Sequence, residues 1–124
     1  MKTKALRVHA PGGPDVLRYE EIEVEAPGPG QALVRHGAIG VNFIDCYHRS
    51  GLYPIPLPAI VGSEGAGRVE AVGDGVAEVA PGDRVAYAGV IGAYADVRLI
   101  DAAKLVRLPD GIDEKTAAAA MLKG

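Results

Sequence analysis

Glycine and proline interrupt this chain so often that a bundle of long helices is out of reach. Seventeen Gly and nine Pro stand among its 124 residues, clustered in runs such as Pro11-Gly12-Gly13-Pro14, Pro27-Gly28-Pro29-Gly30 and Pro81-Gly82-Asp83. Glycine opens backbone conformations closed to other residues, proline removes an amide donor, and together they mark turns. The pieces between are short, so the chain is predicted to be mainly β, many strands joined by tight turns, with short helices. Neither residue recurs at a fixed period, which excludes a collagen-like repeat. With 48% apolar and 23% charged residues, the chain has the means to build a core, and its length is room for one domain.

Alternation of apolar and polar residues sets the expected strands over 4–10, 32–39, 65–73, 84–88 and 105–108. Residues 17–25 also alternate, but the parity changes between Tyr19 and Ile22, which predicts a bulge there. Residues 84–88 and 93–100 read as a strand pair, with 89–92 as their hairpin loop. Two segments break the pattern. Residues 42–50 lack alternation and set Asp45 and Arg49 four apart, as neighbours on a helix surface. Residues 112–123 begin with Asp113 and Glu114, end near Lys123 and contain four consecutive alanines. That is a tightly packing helix, with acids and a base placed to suit its dipole. It reads as a connector toward a second domain.

Several functions are disfavoured at once. A net charge of −3 without a basic stripe argues against a nucleic-acid partner. No apolar run approaches the roughly 18 residues of a membrane span. The first residues carry no apolar core of a secretory signal, so the expected compartment is the cytoplasm. A single cysteine, Cys46, makes no internal disulfide and no multi-cysteine zinc knuckle, and reads as a small buried hydrophobe. His9, His36 and His48 share no ligand spacing. The glycines of Gly62-Ser63-Glu64-Gly65-Ala66-Gly67 fall at the first, fourth and sixth places, whereas a dinucleotide fingerprint needs the first, third and sixth before a helix. They read as glycines that let a strand bend or approach another backbone.

Six blocks in order carry a resemblance: GGPDVL at 12–17, GVNFIDCYHRSGLYP at 40–54, VGSEGAGRVEAVG at 61–73, PGDRVAY at 81–87, GAYAD at 92–96 and the closing AAAAMLKG. Together they resemble the N-terminal catalytic domain of the medium-chain dehydrogenase/reductase superfamily, and within it the NADPH-dependent quinone oxidoreductase, or zeta-crystallin-like, group. The resemblance implies a GroES-like β-barrel over 1–110. Residues 111–124 would then lead, as the connector helix, into a Rossmann nucleotide-binding domain beyond this chain. It also implies hydride transfer from NADPH to a quinone, and a homodimer for the full-length protein. Most cofactor contacts would belong to the second domain, so the 124 residues alone are expected to be inactive.

The same superfamily includes zinc alcohol dehydrogenases. Where those enzymes place a ligand cysteine this chain has Asn42, and where they place a ligand histidine it has Ser63. Amide and hydroxyl oxygens are poor substitutes for thiolate and imidazole at zinc, so no metal is expected. By resemblance, Asn42, Phe43, Ile44, Asp45 and Tyr47 are assigned to cofactor contact, and Asn42 and Tyr53 to positioning the substrate or nicotinamide. The residues by themselves allow plainer roles: Asp45 capping the helix or pairing with Arg49, Phe43 and Ile44 in the core, Tyr47 and Tyr53 half-buried with wet phenol tips. Two alternatives stay open, a zinc-free reductase of enones or enoyl thioesters and a non-catalytic stand-alone barrel acting in binding or structure.

Overall fold

The computed structural model describes residues 1–40, 43–52 and 55–109, without the side chains of Pro14 and Phe43. The connector helix expected over 112–123 lies outside the described residues, as do Asn42 and Tyr53. The chain is mainly β, as expected. Strands β1 (Lys2–Val8), β2 (Leu17–Glu23) and β3 (Gln31–Gly40) come first, then helix α1 (Phe43–Ser50). Strands β4 (Ala59–Ile60), β5 (Glu64–Val72), β6 (Arg84–Ala88), β7 (Val97–Asp101) and β8 (Val106–Arg107) follow. They form a three-stranded sheet in the order β2-β1-β4 and a five-stranded sheet in the order β7-β3-β5-β6-β8. Every pairing is antiparallel.

The five-stranded sheet holds the main core. Val34, Val69, Val85, Tyr87 and Ile100 meet on one side of it, while Ala66 and Ala86 pack on the other. The small residues of β5 allow this closeness. A Cβ on Gly67 would lie 2.0 Å from the Arg35 carbonyl oxygen of β3, so the glycines here serve the approach of one backbone to another. β3 is bulged against β5 in two places, between Leu33 and Val34 and between His36 and Ala38, which curves the sheet.

Residues 93–96 join the two sheets. The Leu6 amide donates to the Tyr94 carbonyl at 2.8 Å and the Asp96 amide to the Lys4 carbonyl at 2.9 Å, both on β1. On the other side the His36 amide of β3 donates to the Asp96 carbonyl at 2.8 Å. Ile22 and Val24 complete the junction by packing near Leu33 and Val97.

Two expectations are corrected. Residues 84–88 and 93–100 are not a hairpin: β6 pairs with β5 and β8, and β7 pairs with β3. The loop after β6 turns away at Gly89 (φ 75°) and Gly92 (φ 120°), delivering residues 93–96 to the gap between the sheets. Nor is there a bulge between Tyr19 and Ile22, because β1 and β2 pair in unbroken register from Lys2–Glu23 to Val8–Leu17. Tyr19 faces outward with the Lys4 ammonium over its ring, so the parity change reflects an exposed aromatic in a regular strand.

Candidate functional site

Helix α1 forms one wall of the most chemically promising cleft. Asp45 lies in its first turn and His48 and Arg49 in its last, an order that suits the helix dipole. Gly51 ends it in the left-handed conformation (φ 85°), its amide directed at the His48 carbonyl, as a glycine just past a helix end commonly does. The far end is pinned to the Pro11-Gly12 turn: the Gly12 amide donates to the Arg49 carbonyl at 3.0 Å, and Arg49 Nε returns a bond to the Gly12 carbonyl at 3.3 Å.

The helix is also fastened from below. Asp45 is only 3% exposed, and its Oδ2 accepts a 2.8 Å hydrogen bond from the Tyr94 hydroxyl. Burial first, and the Asp45 carboxylate second, hold that hydroxyl protonated well above the ordinary phenol range. Tyr94 belongs to the segment that joins the sheets, and its ring lies where a Cβ on Gly62 would stand. One phenol thus ties the helix to the sheet junction.

Between α1 and the sheet lies a cleft of about 470 Å³ lined by Ile44, His48, Ile55, Ser63, Gly89 and Ile91. Ile44 and His48 are four apart and share a helix face. Ser63 is buried at the entry to β5. Ile91 sits on the loop after β6, which is held from two directions. The Val90 amide donates to the Ser63 carbonyl at 3.2 Å, and Arg98 Nη1 of β7 donates to the Val90 carbonyl at 2.9 Å. The Arg98 guanidinium lies over the Tyr87 ring, 5.1 Å from its centroid.

Behind the loop, His36 is fully engaged. Its Nδ1 is 2.6 Å from the Ala95 carbonyl, so Nδ1 carries the proton, and Nε2 accepts from the Tyr87 hydroxyl at 2.7 Å. Burial, opposed in part by the Ala95 bond, pushes the imidazole down to about 4. Burial likewise raises the Tyr87 hydroxyl.

Of the residues assigned by resemblance, Ile44 lines the cleft. Tyr47 is on the same helix and 37% exposed. Asp45 is turned to Tyr94, while Arg49 reaches Gly12. Sequence reasoning missed the cleft roles of His48, Ile55 and Ile91 and the anchoring role of Tyr94. The four-residue spacing of Ile44 and His48 was the available signal for one of them. Among the described residues no group of three His, Cys, Asp or Glu side chains stands close enough to hold a metal ion. Nor is any described helix long and apolar enough to cross a membrane.

Comparison with known proteins places these features in a family. Residues 28–110 match the alcohol dehydrogenase GroES-like domain. The chain is 56% identical over 123 residues to a quinone oxidoreductase of Pseudomonas aeruginosa, covering 98% of this chain and 38% of that protein. It is 46% identical over 125 residues to a 2-haloacrylate reductase of a Burkholderia species, covering 94% of this chain and 37% of that protein. In three dimensions it superposes on the crystal structure of Escherichia coli quinone oxidoreductase complexed with NADPH, with a TM-score of 0.93 and 46% identity, covering 97% of this chain and 37% of that one. The chain therefore spans well under half the length of the relatives it matches.

Proposed function

The chain belongs to the alcohol dehydrogenase GroES-like domain family, and from that premise we propose that it is the catalytic portion of a longer, cytoplasmic, homodimeric NADPH-dependent quinone oxidoreductase that works without zinc. Residues 1–110 form its barrel, and residues 111–124 lead toward a nucleotide-binding domain that supplies most of the cofactor contacts. The cleft beside α1 carries this reading. Ile44, Ile55 and Ile91 give it apolar walls and His48 and Ser63 give it two polar side chains, a lining suited to a flat ring bearing an oxygen. The same lining fits the nicotinamide end of NADPH, which supplies a hydride when bound.

The protein's own residues position the partners. Phe43, Ile44 and Tyr47 contact the cofactor, Asp45 joins them from a helix held by Tyr94, and Asn42 and Tyr53 orient the substrate or nicotinamide. A quinone delocalises the incoming negative charge, so hydrogen-bond donors near its oxygens suffice without a Lewis acid. Asn42 and Ser63, at the places of zinc ligands, offer oxygens that bind zinc poorly.

A second reading is reduction of an activated alkene, favoured by the likeness to the 2-haloacrylate reductase. A third, a non-catalytic barrel, is disfavoured by the likeness to a quinone oxidoreductase and a 2-haloacrylate reductase. The test is NADPH oxidation by the full-length protein with 1,4-benzoquinone, before and after dialysis against a zinc chelator. Turnover unchanged by the chelator is expected. Turnover lost on chelation and restored by zinc overturns the zinc-free reading. Activity with 2-haloacrylate or enones but no quinone transfers the assignment to the second reading.

A further inference from the structure

The molecule has two partly buried histidines close to the cleft, and they are used differently. His36 engages both ring nitrogens within the protein, one with the Ala95 carbonyl and one with the Tyr87 hydroxyl. His48 is not spent in this way. Its Nδ1 is sealed from solvent and meets no hydrogen-bond partner among the described residues, while the side chain lines the cleft.

A neutral imidazole has one donor and one acceptor nitrogen. A proton left on the sealed Nδ1 would be a buried donor without an acceptor, which native structures rarely contain. The tautomer that avoids this carries its proton on Nε2 and has a hydrogen bond to give. Around it the described lining is apolar apart from Ser63, with Ile44 one helical turn away and Ile55 and Ile91 on the walls. A donor in such a setting discriminates strongly, because a ligand without an acceptor at that point leaves it unpaired.

We propose that His48 donates a hydrogen bond to a carbonyl oxygen of the molecule bound in the cleft, with Ser63 beside it, and so selects carbonyl-bearing rings over hydrocarbons of the same shape. This rests on the reading of the cleft given under Proposed function and adds the residue that recognises the oxygen. It concerns binding, so it is tested without turnover.

The experiment compares two probes on the full-length protein in the absence of NADPH: duroquinone, and durene, the same tetramethyl ring without oxygens. Fully substituted duroquinone avoids addition of the Cys46 thiol at an open ring position. The expected result is tighter binding of duroquinone by the wild type, a loss of roughly tenfold for that probe in His48→Leu, and little change for durene. His48→Gln, which keeps an N–H donor, is expected to recover most of the loss. Equal effects of His48→Leu on both probes, no effect on either, or no binding of duroquinone by the wild type each overturns the proposal. An inactive full-length protein whose duroquinone binding depends on His48 as described overturns the quinone reductase reading and leaves this contact standing.

Discussion

The five-stranded sheet and the outer strand of the three-stranded sheet are held by different forces. In the five-stranded sheet, residues 64–67 of β5 and residues 85–87 of β6 are buried without a break, so both faces of these strands are covered. In the three-stranded sheet, no residue of β2 is fully buried. Its far edge is dressed with charge instead. The amino terminus meets Glu23 at 3.3 Å, and Glu20 takes both Arg7 at 3.4 Å and His9 at 2.5 Å. Removal of apolar surface from water is a strong and cumulative force, whereas exposed ion pairs contribute little and are screened by salt. β1 still places Thr3, Ala5 and Val8 in the interior, so it is the outer strand β2 that apolar burial stabilises least. The cleft draws on the rigidity of the five-stranded sheet, because Ser63, Gly89 and the Arg98-held loop all extend from its strands.

The contrast can be broken or sharpened by three perturbations. The largest effect is expected at Gly67, where a methyl group would have to displace the Arg35 backbone. Gly67→Ala should cost roughly 3 kcal/mol or more, read as a lower urea midpoint. A midpoint equal to wild type would show that β3 and β5 are not packed to their limit.

Acid should come next. His36 sits at about 4 in the folded protein against an ordinary 6.5, so its contribution is complete above pH 6.5. It declines as the pH falls toward 4, because the unfolded chain takes up the proton first. The shift corresponds to about 3 kcal/mol once pH 4 is reached. Between pH 6.5 and 5, above the range where most carboxylates titrate, His36→Gln should flatten this slope. An unchanged slope would assign the acid sensitivity to other groups.

The smallest effect belongs to the three-stranded sheet. Glu20→Gln removes the carboxylate that Arg7 and His9 share, and that carboxylate is held below its usual range by those two partners. Its urea midpoint at physiological salt should be indistinguishable from wild type. A fall comparable to that of Gly67→Ala would put the two sheets on an equal footing.

Local structure was legible in the sequence where its causes are local. Glycine and proline clusters bound the strands, and the non-alternating stretch after β3 is the helix, with Asp45 and Arg49 at opposite ends. Pairing was less legible. The loop over 89–92 has the composition of a hairpin, but Gly92 packs against the Arg98 guanidinium and sends the chain to β1. Only the folded neighbours determine that. Tyr19 misled for a related reason, since an aromatic counted as inward lies instead under Lys4. The cleft was the least legible, because His48, Ser63 and Ile91 come from three separate segments and meet only in the assembled fold. Ile44 was reached through resemblance to a family, which carries tertiary information that periodicity does not.

The joining segment at residues 93–96 also sets an order on biosynthesis. β1 and β2 leave the ribosome before the rest of this domain, able to form a hairpin but lacking the partners that fix it. β4 arrives some fifty residues after β1, and the Tyr94 and Asp96 bonds to β1 later still. Isolated hairpins are marginal in water, so this hairpin must wait for most of the domain before it is locked. Contacts so distant in sequence slow folding and prolong the exposure of strand edges, which makes the nascent β1–β2 hairpin the stretch most in need of protection while the domain is completed.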